Sequence, residues 1–285
     1  MVKGYSTIIR PFDGSLHDAE GILAVERATF DESPYSPEQI QPMLSEGPQR
    51  AWVALAGGRI VGFVVTFLTR GWQGPCWEID LLAVHPDWQG HGLATRLIRV
   101  AGARGARFVR HARAAVATDN EPSLRAFARA GFRREAEPHE LWIYRPEEAA
   151  APNGRVDGIR VREVDYPSGT EWPGSLAGES GSLVLLAEPD HGSGNKPLGT
   201  AELLYIETLL YRGAWIESLQ GASRRVRQAL ALRAVARVRE ANLDELGAMV
   251  PEQDPVLRDI LAESGFRSLG DFYWLRAELP LPGYA

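Results

Sequence analysis

Residues 85 to 98, HPDWQGHGLATRLI, set Gly90, Gly92 and Ala94 where the strand-like run CWEIDLLAV gives way to a helical pattern. Glycine inside a helix costs about 0.5–1 kcal/mol relative to alanine, so its use here calls for a return. The first N–H groups of a helix lack partners within it, and with the helix dipole they attract anions, phosphate above all. Bare backbone at positions 90, 92 and 94 lets such an anion approach. Each charge-assisted hydrogen bond is worth about 1.5–3 kcal/mol, more than the glycine costs. The competing reading is a plain tight turn between strand and helix.

Just upstream, Glu78 and Asp80 stand two apart in an otherwise apolar strand, where alternation turns both to one face. Carboxylates are unusual in such a run, although two partly solvated side chains at a sheet opening would look the same. Other reactive types carry less. Cys76 is the single cysteine, and a lone cysteine in a strand is usually a small buried hydrophobe. His85 and His91 flank the turn with no further ligands at metal spacing, so no metal site is expected. Trp72, Gln73 and Trp88 read as loop residues at the mouth of a site, and Trp77 as core.

The elements that must position these residues follow from periodicity. A strand STIIRPF precedes a helix ending near Phe30, and Ser36-Pro37 starts a second helix. AWVALA and RIVGFVVTFL flank a glycine pair as a hairpin. After CWEIDLLAV come a helix from about His91 to Ala103, the strand ARAAVAT, a helix from Glu121 to Ala130 closed by Gly131, and the strands FRRE and ELWIYR. This half reads as α/β with a mixed sheet.

A boundary is expected in PEEAAAPNGR, residues 146 to 155, from its linker-like composition. Beyond it the plan repeats: GIRVREV, a hairpin of SLVLLAE and LGTAELLYIETLL, then AWIESLQ answering CWEIDLL. DPVLRDILAESGF aligns without a gap on NEPSLRAFARAGF, and FYWLRAE answers ELWIYRP. In the second copy the glycine turn is replaced by GASRRVRQALALRAV, with Arg224, Arg225 and Val226 where backbone should be bare. Asp254 stands in place of Asn120, and Glu217 lines up near Asp80.

The chain has 285 residues and a net charge of −6, which suits two cores and gives no basic footprint for nucleic acid. Acidic clefts that attract amines fit that balance better. A single cysteine excludes an intrachain disulfide and fits a reducing compartment. No apolar run approaches the roughly 18 residues of a membrane span, and no signal-peptide core is evident, so the expected location is the cytoplasm, without a membrane partner.

In these surroundings the glycine turn resembles the signature of the GNAT superfamily of acyl-CoA-dependent N-acetyltransferases. That signature is Gln or Arg, two residues, Gly, one residue, then Gly or Ala, and Gln89, Gly92 and Ala94 satisfy it. The resemblance extends over nearly all of residues 5 to 146 and implies two tandem GNAT-type folds: a GNAT domain at 1–148, a linker at 149–156, and a degenerate copy at 157–285. It implies that the N–H groups of Gly90, His91, Gly92, Leu93, Ala94 and Thr95 hold the CoA pyrophosphate. The backbone of Leu82, Ala83 and Val84 would pair with pantetheine, with Asn120 beside the cofactor. Glu78 matches the general base of some members, with Asp80 in support, and an N–H near Leu82 would meet the oxyanion. Phe127 falls at a cofactor-side position where many relatives carry tyrosine, and phenylalanine cannot protonate a thiolate.

The implied activity is transfer of acetyl from acetyl-CoA, as co-substrate and without a metal, to a primary amine in a ternary complex. The alternative is a non-catalytic CoA-binding sensor or scaffold; a longer acyl chain would also suit the motif. The acceptor would be a small-molecule or peptide amine, and the chain a monomer or homodimer. Phe30, Tyr35 and Trp72 suggest an amphipathic acceptor, and Glu135, Glu137 and Glu140 could draw its charge. VERATFDESPYSPEQI has a faint likeness to acetyltransferases of protein N-termini, but those carry glutamate where this chain has Ala115.

Overall fold

The computed structural model describes residues 6–30, 35–71, 74–149, 155–165, 182–191, 196–209 and 212–282. Trp72, Gln73 and residues 150–154 of the expected linker lie outside the described residues. The first half runs β1 (Ile8–Pro11), α1 (Leu16–Thr29), α2 (Pro37–Ser45), β2 (Arg50–Ala56), β3 (Arg59–Gly71), β4 (Gly74–Val84), α3 (Leu93–Gly105), β5 (His111–Ala117), α4 (Glu121–Ala130), β6 (Arg133–Arg134) and β7 (His139–Tyr144). The second runs β8 (Ile159–Asp165), β9 (Ser182–Pro189), β10 (Gly199–Glu207), β11 (Arg212–Gly221), α5 (Arg224–Glu240), β12 (Glu245–Pro251), α6 (Pro255–Glu263) and β13 (Arg267–Glu278).

Local signals explain most of these bounds. Ser15 caps α1 by accepting from the Asp18 N–H, and Ser36 with Gln39 forms the capping box of α2 ahead of Pro37. Gly57 and Gly58, both at positive φ, turn β2 into β3 as the glycine pair requires. Gly131 at φ 107° closes α4.

The strands form one sheet in the order β1-β2-β3-β4-β5-β13-β7-β12-β11-β10-β9-β8, with β6 also on β13. β13, from the second half, pairs with β5 of the first, Trp274 opposite Ala115. β7, from the first half, pairs with β12 of the second, Trp142 opposite Ala248. The two strands that answer one another in sequence have thus changed places. Their apolar patterns are similar enough that each fits the slot of the other, and the repeat alone gives no sign of the exchange.

One core lies between the first half's strands and α3 and α4, around Trp77, Leu97, Ile98 and Phe127. A second packs α1 and α2 on the other face, around Ile22, Ile40 and Phe63, and includes Leu209 from the second half. The third joins α5 and α6 to the second half's strands through Leu185, Leu203, Leu230 and Ile260. β10 also packs across onto β3, so the two halves face each other as well as sharing a sheet.

The same irregularity occurs in both halves. The β3–β4 register slips so that Val65 faces Leu81 and Thr66 faces Ile79, leaving Asp80 without an opposite residue. Between β10 and β11, Glu202 faces Ser218 and Leu203 faces Ile216, leaving Glu217 in the equivalent place. Such bulges bend a strand and re-aim its side chains; here each one turns out a carboxylate.

Candidate active site

β4 pairs with β5 only at Trp77–Ala112 and Glu78–Arg113, while its pairing with β3 continues to Val84. Beyond Glu78 the two parallel strands part, so the stretch through Leu82, Ala83 and Val84 keeps an edge not covered by β5. α3 starts directly after it. Its N-cap is Gly92, at φ 73°, with no side chain bonded to the helix's first amides. Gly90 is also left-handed, at φ 78°, and a Cβ at either glycine would point into open space. Gln89 Nε2 donates to the Val84 carbonyl at 2.9 Å and so ties the turn to the strand end.

These elements wall a cleft of about 440 Å³. Its lining brings together Leu82, Ala83, Val84, Gln89, Gly90, Gly92, Leu93, Ala94, Thr95 and Asn120. Trp88 and Phe30 also line it. His91 and Phe127 do not: the His91 ring bonds the Gln89 carbonyl at 2.7 Å, and Phe127 is buried edge-on against Phe132. Asn120 caps α4 by accepting from the Ser123 N–H.

On the same strand, Glu78, Ile79 and Asp80 line a second cavity of about 170 Å³ between the halves. The first half supplies Phe67, Thr69, Arg113, Ala114 and Ala115, and the second supplies Ile206, Thr208, Trp215 and Trp274. Glu78 and Asp80 do share a face, with very different surroundings. Glu78 is buried; it accepts from Thr69 Oγ1 at 2.6 Å and from Arg113 Nε at 2.8 and 2.9 Å. Arg113 then reaches Glu217 through both terminal nitrogens, at 2.5 and 2.8 Å, and lies over the Trp274 ring. Burial opposes the Arg113 charge, but Glu78 and Glu217 together hold its pKa above the ordinary guanidinium value.

Among the described residues, the donors to Asp80 are neutral. Gln49 Nε2 bonds its Oδ2 at 3.0 Å, and Thr208 supplies a further hydrogen bond. Gln49 also accepts from the Leu209 N–H at 2.8 Å, so one buried amide spans Asp80 and the second half. Burial pushes the Asp80 carboxyl up to about 7, the Glu78 charge adds to the rise, and the two donors oppose it. Tyr35 stands in the same acidic field, its phenol raised by burial and by Glu26, Glu245, Asp244 and Asp80. Burial likewise pushes the Cys76 thiol up, which disarms it as a nucleophile.

Sequence reasoning did not single out Gln49, Arg113, Thr208 or Trp274. Their partners lie far away in the chain, and only the bulge and the exchanged strand bring them together. Glu135 pairs with Arg276, Glu140 accepts from Ser268 Oγ at 2.5 Å, and neither these nor Glu137 lines either cavity. Among the described residues no group of His, Cys, Asp and Glu is set to hold a metal, and no helix is long and apolar enough to cross a membrane.

In the second half the matching helix start is closed. Ser223 caps α5 by accepting from the Val226 N–H, and Arg227 pairs with Asp254 at 2.6 Å. A Cβ on Gly221 would meet Val226 at 2.8 Å.

Residues 19–132 match the acetyltransferase (GNAT) family. No curated protein matches the chain. The fold is similar to a GCN5-related glucosamine N-acetyltransferase region in a fungal multi-domain GH3 β-N-acetylglucosaminidase, at 15% identity and TM-score 0.62. That match covers 97% of this chain, which spans 38% of the fungal one. A tandem GNAT protein from the clavulanic acid biosynthesis pathway matches at 15% identity and TM-score 0.56, over 96% of this chain and 98% of its own. A GCN5-related N-acetyltransferase from Sphaerobacter thermophilus matches at 17% identity and TM-score 0.58, over 95% of each. At these identities the likeness is one of fold. The parted strands and the open helix start both lie within residues 19–132, the stretch that matches that family.

Proposed function

We propose that the chain transfers an acetyl group from acetyl-CoA to a primary amine by direct attack in a ternary complex, with the first half active. The observation that carries this is the uncapped start of α3 beside the free edge of β4, in one cleft. The amides from Gly90 to Thr95 receive the diphosphate, and Leu82 to Val84 receive the pantetheine arm as an added strand. The thioester then points toward the second cavity, because Glu78, Ile79 and Asp80 line that cavity and Leu82, Ala83 and Val84 line the cleft, with Leu81 between them on β4.

We assign the base to Asp80 ahead of Glu78. Burial raises the Glu78 carboxyl, with Arg113 and Thr69 opposing the rise, but both of its oxygens are already occupied by Arg113. Asp80, half-titrated near neutrality, is matched to removing a proton from an ammonium at physiological pH. The neutral amine attacks the thioester carbonyl, a β4 N–H near Leu82 meets the oxyanion, and as the C–S bond breaks the nitrogen gives up its surplus proton to water. The thiolate leaves as an anion, since Phe127 has no proton to give. The second half holds no acyl donor: its helix start is capped by its own Ser223, which supports its reading as a degenerate copy.

Phe127 also favours a second reading, a CoA-binding sensor. Calorimetry with CoA, followed by thiol release from acetyl-CoA across a panel of amines, separates the two. The expected result is CoA binding with amine-dependent release, and a fall in kcat of about 10²–10⁴ for Asp80→Asn with CoA affinity unchanged. Binding without release would favour the sensor, and no binding would remove both.

A further inference from the structure

The cavity beside Asp80 has a definite chemistry. Its walls are Phe67, Ile79, Ala114, Ala115, Ile206, Trp215 and Trp274, with the two indoles edge to face at 6.3 Å. Its volume, about 170 Å³, is close to that of an engineered protein cavity of about 150 Å³ that admits benzene. One ring or a short alkyl chain suits such a space.

Its charges are uneven. Among the described residues lining the cavity, Glu78 and Asp80, with Glu217 beside them, stand around one cation, Arg113, whose guanidinium bridges Glu78 and Glu217 and stacks on Trp274. An incoming ammonium therefore meets surplus negative charge. An incoming carboxylate meets the same charge with the cation already engaged, and burying it there unpaired is costly. Most of the lining is apolar, and the Arg113 guanidinium within it is already bonded to Glu78 and Glu217, so a polar acceptor rich in hydroxyls or amines finds few partners.

Resting on the acetyl transfer proposed above, we infer that the acceptor is a compact primary monoamine without a carboxylate, carrying one flat apolar group packed against the Trp215–Trp274 pair with its nitrogen toward Asp80. The second half thereby sets specificity, since it contributes Ile206, Thr208 and both tryptophans to the seat.

The test uses the full chain with acetyl-CoA and five acceptors: 2-phenylethylamine, n-hexylamine, phenylalanine, spermidine and kanamycin. The two apolar monoamines are expected to exceed the other three in kcat/KM by about 10–200-fold, the range that a shaped apolar pocket supplies. Trp215→Ala should raise KM for 2-phenylethylamine about tenfold with kcat little changed. If that variant fails to fold, Ile206→Ala on the neighbouring strand β10 replaces it, with the same expected direction.

Faster transfer to kanamycin, spermidine or phenylalanine would overturn the acceptor class and leave acetyl transfer standing. If no amine is acetylated, calorimetry of 2-phenylethylamine on the CoA-saturated chain decides. Binding would uphold the class and remove the transfer reading; no binding would overturn the class.

Discussion

Asp80 and Glu78 are two residues apart, yet the protein gives them opposite tasks through what it sets beside each. Glu78 meets a guanidinium, whereas Asp80 meets an amide and a hydroxyl. With its carboxyl pushed up to about 7, Asp80 is protonated and idle as a base below that pH and ionised above it. The expected kcat/KM therefore rises with unit slope through about pH 7 and then levels. Thr208→Val removes a hydrogen bond that favours the ionised form, so the limb should move to higher pH, by less than about one unit. A purely structural role for Thr208 would lower the plateau and leave the midpoint in place, which a pH–rate profile distinguishes. The two carboxylates are visible in the sequence as intruders in an apolar strand. Their division of labour is not, because Arg113 and Glu217 lie 104 positions apart and Gln49 meets Leu209 across 160.

Among the elements, the strand-to-helix connection after β4 was the most legible, since its glycines answer a local backbone demand. Gly92 sits at φ 73°, where a β-branched residue is strained by roughly 1–2 kcal/mol, and its missing Cβ faces open space. Gly58, in the β2–β3 turn, has φ 81° and equally open surroundings, far from the cleft. Gly92→Val and Gly58→Val should thus lose comparable stability in thermal melts. Only the former should weaken CoA binding, by at least about tenfold in calorimetry, because its side chain enters the space in which the diphosphate approaches the amides. Helix caps and hairpin turns were legible for the same local reason. The exchange of β7 and β13 was not, since ELWIYR and FYWLRA carry interchangeable apolar patterns and pairing between strands leaves no trace in either one alone.

For the whole molecule, that exchange means neither half closes its sheet without a strand from the other. Arg113 adds a buried ionic tie across the same seam, and removing one partner of such a cluster costs about 3–5 kcal/mol. Both features lead one to expect a single cooperative unfolding transition, with coincident tryptophan fluorescence and far-ultraviolet dichroism in urea, where two independent domains would give two. Arg113→Met should lower the midpoint of that one transition without splitting it. The seam also bears on how the protein is made. Arg276 of β13 meets Glu135 across 141 positions of chain. On the ribosome the amino-terminal cleft must wait, its fifth strand bare along one side, until the distant partner has been synthesised and released. Catalytic competence would thus appear late in translation, and a prematurely terminated product would expose a naked sheet margin for quality control to recognise.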